Sequence, residues 1–398
     1  NFATPTDVAT LNYTGGTTGK SKGALRHHRE YGGFATAILA DFEIPERASY
    51  LAVAPISHVA GTKVLPTLMR GGTVHMLKGF DPEAVLTTIE RERINFTLFV
   101  PTMIYVLLDH PALSRTDLSS LDLVLYGASA MSPTRLVEGI ERIGPVFSQL
   151  YGQTECYPVS VLRKADHDPK QPELFLSCGF PIAACDVKIL NDDDQEVAQG
   201  EAGEICVRAP HVMAEYWKRP DITAETLKNG WLHTGDIGYI DDDGFLVITD
   251  RLKDIIVTLN GKNVAPQPIE AELLKDPLFE QAVILGDNRP CLTLLVKPSL
   301  PQVEQLAERL HITSLSANEK LRSPELAEEI RKRVAELSAK LPHQEQIRDL
   351  SVLWDEFTTD NGLLTPTLKV RRREVEKRFA ELIEEMYSKI AIRRKGGA

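Results

Sequence analysis

The sequence predicts an α/β fold, with an α/β portion of a large domain over residues 1–180, a small β subdomain over 181–250, and a separate α+β domain over 254–398. Three observations lead there. A stretch rich in glycine, threonine and lysine, residues 13–23, follows the short apolar run 8–11. Short apolar runs at 50–54, 73–77, 96–100 and 123–126 then alternate with helical patterns, the rhythm of a mostly parallel sheet. After Gly179 that rhythm gives way to runs at 185–190, 203–208 and 244–249, parted by acidic or glycine turns such as 191–194, as antiparallel hairpins require.

In the first stretch, Gly15, Gly16 and Gly19 allow backbone conformations closed to other residues and let amide N–H groups approach an anion. Thr14, Thr17 and Thr18 add hydroxyl donors, and Lys20 and Lys22 add charge. Such a loop suits phosphate, although a polar surface loop would have similar composition. Its spacing is not G-x-x-x-x-G-K-[ST], because only three residues part Gly15 from Gly19. A helix is expected over 24–40, weakened in its middle by Gly32 and Gly33. Asp81 followed by Pro82, Val85, Leu86 and Ile89 predicts a capped helix with one apolar face. In the last domain, 254–259, 281–285 and 292–296 read as strands. Residues 324–341 and 373–390 read as helices, with apolar stripes that include Leu326, Ile330, Val334 and Phe379, Leu382, Met386. The terminal Arg393, Arg394 and Lys395 read as a frayed, solvated tail; they admit peripheral contact with an anionic membrane without establishing it.

A chain of 398 residues, 43% apolar and 25% charged, is long enough for two or more domains. A net charge of −11 gives no support for nucleic-acid binding. Cys156, Cys178, Cys185, Cys206 and Cys291 form no CxxC pair and no sequence cluster with histidines. Neither a structural zinc site nor a disulfide framework is expected, and a reducing cytoplasm fits. No apolar run reaches membrane-spanning length.

Four further constellations carry chemistry. Tyr151-Gly152-Gln153-Thr154-Glu155 offers a tight turn, a hydroxyl and a carboxylate able to hold a divalent ion, although a solvated strand-end turn contains similar residues. Gly127, Ala128 and Ser129 end a predicted strand, where open α/β sheets present backbone to ligands. His58, Val59, Gly61 and Thr62 follow another strand and could wall a pocket for an acid, with no acidic side chain nearby to hold an amino group. Asp236, in Trp231-Leu232-His233-Thr234-Gly235-Asp236, could accept two ribose hydroxyls, and Arg251 could contact nucleotide or phosphate.

These stretches, in this order, resemble the adenylate-forming superfamily of acyl- and aryl-CoA synthetases, luciferases and peptide-synthetase adenylation domains. The first loop resembles Tyr-Thr-Ser-Gly-Thr-Thr-Gly-x-Pro-Lys-Gly, with departures at Gly15 and Ser21. The resemblance implies an incomplete large domain, as members carry more than a hundred residues before this loop, and a mobile C-terminal domain beyond a hinge at 251–253. It implies ATP, Mg²⁺ and coenzyme A as co-substrates and cofactor, with a small carboxylic acid as partner. It gives residues 14–22 to the β,γ-phosphates; Tyr151, Gly152, Gln153, Gly127, Ala128 and Ser129 to the adenine side; Thr154 to the α-phosphate; and Glu155 to the metal. Asp236 and Arg251 go to the ribose, Lys253 to the hinge, and His58, Val59, Gly61, Thr62 and Gly127 to the acid. Thr365-Pro366-Thr367-Leu368-Lys369 resembles the catalytic-lysine segment of long-chain acyl-CoA synthetases, as does Asn260 to Pro266 in its surroundings, so Lys369 would act in catalysis with Thr154 and Glu155. The activity implied is ligation of a medium- or long-chain fatty acid to coenzyme A through acyl-AMP. An aryl-CoA ligase, a luciferase-like oxidase and a catalytically silent nucleotide-binding module are the alternatives.

Overall fold

A computed structural model describes residues 2–14, 21–129, 131–252, 254–312, 323–354, 357–358, 361–364 and 370–396. The chain divides into two compact units, Asn1–Ile248 and Thr249–Ala398.

The first unit is built on a seven-stranded sheet in the order Thr73–Met76, Ser49–Ala52, Phe96–Phe99, Leu123–Gly127, Phe147–Gln153, Cys156–Leu162 and Phe180–Pro181. The first five strands are mutually parallel and the last two antiparallel. Both faces are covered, as a parallel sheet requires. Alternation along the strands sends Leu51, Phe99, Val124, Tyr126 and Phe147 into one core, shared with Leu86, Ile89, Ile104 and Leu136 of flanking helices. Tyr50, Phe96, Leu98, Leu123 and Leu125 enter the other, packed on Phe34 and Ile38 of the helix His28–Asp41. The helix Pro82–Arg91 starts as its sequence dictates: Asp81 Oδ1 accepts the Ala84 amide at 2.7 Å and proline occupies the first turn.

The helix expected from residue 24 begins only at His28, because Gly23–His27 is a strand. It pairs antiparallel with Val8–Tyr13, and Glu215–Tyr216 adds to its other edge. Gly23 opens its strand, opposite Tyr13, where a Cβ would meet the Leu11 side chain. A second sheet orders Asp186–Leu190, Gly203–Arg208, Trp231–Ile240 and Leu227–Lys228, with Leu246–Arg251 also paired to Trp231–Ile240. That last strand starts later than expected because Asp241 Oδ1 ties the preceding turn to the amides of Asp243 and Phe245.

In the second unit, Phe279–Leu285 pairs antiparallel with Leu292–Pro298, which pairs parallel with Ile347–Val352. Ala282, Ile284, Leu294 and Val296 face Leu326, Ile330 and Val334 of the helix Pro324–Ser338. Val283, Leu285 and Leu295 face Val375, Met386 and Ile390. Four expectations change here. The strand expected over 254–259 is confined to Ile256–Val257. The helix expected to 341 ends at Ser338, whose hydroxyl accepts the Ile347 amide at 2.8 Å. The helix expected over 373–390 is two, Arg372–Arg378 and Ala380–Gly396, because Phe379 leaves helical geometry; the second carries the backbone through Arg393 and Arg394, where a frayed tail was expected. Among the described residues, no helix is long and apolar enough to cross a membrane.

Candidate active site

The site in the first unit gathers at the carboxyl ends of the parallel strands, the usual ligand edge of an open α/β sheet. Phe147–Gln153 and Cys156–Leu162 form a hairpin whose turn is Thr154-Glu155, with Gln153 opposite Cys156. Gly152 is required by close approach, since a Cβ there would lie 2.9 Å from the Tyr157 ring and 3.1 Å from the Cys156 carbonyl. The Tyr151 hydroxyl donates to Asp236 Oδ2 at 2.7 Å, joining two motifs 85 residues apart inside the fold. Tyr151 is 9% and Asp236 5% exposed, and burial beside the Asp236 charge drives the tyrosine's pKa well upward. Gln153 Nε2 donates to the Thr234 carbonyl at 3.2 Å.

The kink at Thr234-Gly235-Asp236, where the strand Trp231–Ile240 shifts its register with Gly203–Arg208, is set by Glu204. Its Oε1 accepts the Gly235 amide at 2.8 Å and its Oε2 pairs with His233 Nδ1 at 2.8 Å, while Gly235 takes a φ of 70°. The Thr234 hydroxyl donates to the Ile205 carbonyl and accepts the Asp236 amide.

Glu155 is buried, and its Oε1 accepts the Tyr216 hydroxyl at 2.5 Å. The Glu155 carbonyl accepts the Met213 amide at 2.7 Å. Behind the turn, the buried guanidinium of Arg26 donates to the Thr154 carbonyl and adds a positive field next to Glu155. Lys22 Nζ stands 4.8 Å over the Tyr216 ring, which brings the foot of the glycine-rich loop to the same place. At that foot, Thr14 N donates to the Lys22 carbonyl at 2.8 Å. Gly15, Gly16, Thr17, Thr18, Gly19 and Lys20 lie outside the described residues.

Gly127 and His58 are near the same sheet edge, but their small neighbours have a structural cause. A Cβ at Gly127 would lie 2.4 Å from the Leu150 carbonyl, so glycine there permits strand pairing, and Ala128 takes a φ of 71°. Ser129 is exposed. A Cβ at Gly61 would fall 1.7 Å from the Ile56 carbonyl, so glycine closes the turn that carries His58, whose carbonyl accepts the Gly61 amide at 3.0 Å. Val59 packs against the core, and the Thr62 hydroxyl donates to the Val59 carbonyl at 2.6 Å. Beside it the fully buried Lys63 donates to Thr62 Oγ1 at 2.9 Å and to the Tyr157 hydroxyl, and burial lowers its pKa well below the ordinary lysine value.

Arg251 belongs to the second unit, where its amide donates to Asp250 Oδ1 at 2.6 Å. Lys253, expected as the hinge, and Lys369, expected in catalysis, lie outside the described residues. Arg26, Glu204 and Tyr216 were not singled out from the sequence. The position of Arg26 four residues after Lys22 was the available signal for one of them, although the strand that carries it was expected to be helix; Tyr216 had none. The fold also assembles a cluster that cysteine spacing gave no reason to expect, Cys156 with Cys185 and His211.

The profile of the AMP-binding enzyme family matches residues 1–217, and that of the AMP-binding enzyme C-terminal domain matches 253–391. The chain is 44% identical over 283 residues to the medium/long-chain-fatty-acid–CoA ligase FadD8 of Mycobacterium tuberculosis, covering 71% of this chain and 49% of that protein. It is 38% identical over 287 residues to a feruloyl-CoA synthase of an Amycolatopsis species, covering 71% and 57%. The chain thus spans about half the length of these curated relatives. Among solved structures, the amide bond synthetase McbA from Marinactinospora thermotolerans matches with a TM-score of 0.77 at 30% identity, over 94% of this chain and 70% of that one. The O-succinylbenzoate coenzyme A synthetase of Bacillus subtilis, in complex with ATP and magnesium ion, matches with a TM-score of 0.75 at 27% identity, over 94% and 71%. With one profile running through the glycine-rich loop, the Tyr151 to Glu155 turn and Tyr216, and the other through the second unit, this chain belongs to the AMP-binding, adenylate-forming enzyme family.

Proposed function

We propose that the chain carries the nucleotide site and catalytic lysine of an ATP-dependent acid–CoA ligase. A carboxylate oxygen attacks the α-phosphorus of ATP, the bond to the β-phosphate breaks and pyrophosphate leaves. Coenzyme A sulfur then attacks the acyl carbon, the bond to the AMP oxygen breaks, AMP departs and the thiol proton passes to solvent. The observation that carries this reading is the Tyr151–Asp236 hydrogen bond, because it brings the adenine-side and ribose-side motifs together in one buried cluster.

The chain's own groups divide the work. Asp236 would accept ribose hydroxyls, with Tyr151 fixing its carboxylate. Residues 14–22 would hold the β,γ-phosphates, and Lys369 would oppose charge developing at the carboxylate and α-phosphate. A divalent ion fits at Glu155: Tyr216 takes Oε1, Oε2 accepts no hydrogen bond from the described residues, and a carboxylate oxygen is the hard donor that Mg²⁺ prefers. When bound, that ion would neutralise phosphate charge. Arg251 would contact the ribose, and hinge Lys253 would serve the alternation of the second unit between the two half-reactions.

The acid we assign is a medium- or long-chain fatty acid, supported by the similarity to FadD8 and by the Thr365 to Lys369 wording. The 38% identity to a feruloyl-CoA synthase favours an aryl acid as the second reading. The five cysteines are free thiols, in keeping with a cytoplasmic setting. The test is acid-dependent exchange of labelled pyrophosphate into ATP by the full-length gene product, with octanoate, palmitate, benzoate and a hydroxycinnamate, followed by identification of CoA thioesters. Exchange with the fatty acids and their thioesters is expected. Preference for the aromatic acids overturns the substrate, an amide or free adenylate as end product overturns the acceptor, and no exchange with any acid overturns the activity.

A further inference from the structure

Cys156 follows Glu155 directly and is fully buried at the start of its strand. Cys185 lies just before Asp186–Leu190, and His211, also fully buried, precedes Glu215–Tyr216. One donor atom from each of the three lies within 4.8 Å of the others. Cys185 Sγ is 3.8 Å from His211 Nε2 and 3.5 Å from the Pro158 carbonyl oxygen, and that oxygen is 2.7 Å from the same Nε2. Three donors from three separate segments therefore converge, beside the Pro158 carbonyl to which the imidazole is hydrogen-bonded. The ring's other nitrogen, Nδ1, is buried without a hydrogen-bond partner, so no tautomer satisfies the imidazole. Asp41 acts electrostatically on Cys185, and its Oδ2 is likewise buried and unpartnered.

We infer that Cys156, Cys185 and His211 bind one thiophilic divalent cation of the zinc class directly behind the Thr154-Glu155 turn. Two sulfurs and an imidazole nitrogen are the donors such ions select over the oxygen ligands of Mg²⁺. Tetrahedral zinc, with sulfur at about 2.3 Å and nitrogen at about 2.0 Å, separates these two donor types by about 3.5 Å, close to the 3.8 Å between Cys185 Sγ and His211 Nε2. Both thiols release a proton to solvent, and the imidazole proton moves from Nε2 to Nδ1. Two thiolates, a neutral imidazole and a dication then bury no net charge. The ion would tie the hairpin turn of Glu155 to the segments of Cys185 and His211.

The test is anaerobic titration of Co²⁺ into the reduced, metal-free full-length protein. One equivalent should produce thiolate-to-cobalt charge-transfer absorption and the intense visible bands of tetrahedral cobalt, and one equivalent of Zn²⁺ should bleach them. Cys185→Ser and His211→Gln should each weaken Co²⁺ binding at least about 10-fold, the range expected when a ligand or its close support is lost. Cys291→Ser, in the second unit, should bind like the parent. Each variant is first checked for folding by circular dichroism, and two separate ligand variants keep the test decisive if one fails to fold. Absence of the charge-transfer band in the folded parent, or its persistence at full affinity in a folded ligand variant, overturns the inference. Because the readout is cobalt absorption, it is independent of whether the protein activates acids.

Discussion

Replacing Tyr151 with Phe removes one hydroxyl and keeps the ring, so its effect isolates the hydrogen bond to Asp236. That bond is 2.7 Å long between groups 9% and 5% exposed, where water cannot readily replace it. A hydrogen bond to a charged group contributes about 1.5–3 kcal/mol, and a buried carboxylate oxygen deprived of its donor costs at least as much. Tyr151→Phe should therefore lower the unfolding free energy of the first unit by about 1.5–3 kcal/mol. Asp236→Asn should lower it too, and the double variant should lose less than the sum, with a coupling of about 1–2 kcal/mol. Urea unfolding in a Trp354→Phe background makes the remaining fluorescence, from Trp217 and Trp231, report on the first unit alone. The same variants should raise the KM for ATP, because Asp236 loses the group that orients it. A coupling within about 0.5 kcal/mol of zero would refute the claim that the two motifs act as one element.

Arg26→Met should cut pyrophosphate exchange at least about 10-fold and lower stability by about 3 kcal/mol, since it strips the Thr154 carbonyl of its buried donor and removes a positive charge acting on Glu155; unchanged exchange would remove Arg26 from the site. Two buried groups predict opposite pH slopes. Burial holds His167 down to about 4, so between about pH 6.5 and 4 the unfolded chain binds a proton that the folded chain does not; stability falls as pH is lowered, and His167→Gln should flatten that limb. Burial pushes Asp250 up to about 6, so its folded form holds the extra proton between about pH 4 and 6; stability falls as pH rises through that window, and Asp250→Asn should gain about 1–2 kcal/mol at pH 7 and nothing at pH 3. Gly61→Ala should cost about 1–3 kcal/mol by pushing a Cβ into the Ile56 carbonyl, and a thermal melt like the parent's would show that the His58 turn is looser than its geometry.

The parallel strands and the Asp81 cap were readable because one local rule settles each: apolar runs of strand length, and a carboxylate before proline. Gly23–His27 was not, because Ala24 and Leu25 suit a helix and only pairing with Val8–Tyr13 makes them a strand. Arg26 disappeared with that error, since a charge on a helix reads as solvated whereas here it is buried against Thr154. Tyr216 reaches Glu155 across 61 residues, Glu204 fixes Gly235 across 31, and no period in the chain encodes either distance. The glycines at 61 and 127 were legible as special, but composition cannot tell a gap left for ligand from one filled by a carbonyl, as it is in both.

Activation through an adenylate transfers a carboxylate oxygen to AMP, so the most direct measurement is the fate of that oxygen. The full-length protein is given ATP, coenzyme A and octanoate or palmitate labelled with ¹⁸O in the carboxylate, and the nucleotide products are weighed by mass spectrometry. The account predicts AMP carrying one ¹⁸O in each turnover that forms a thioester, with unlabelled pyrophosphate. Unlabelled AMP, or label in orthophosphate accompanied by ADP, would contradict it.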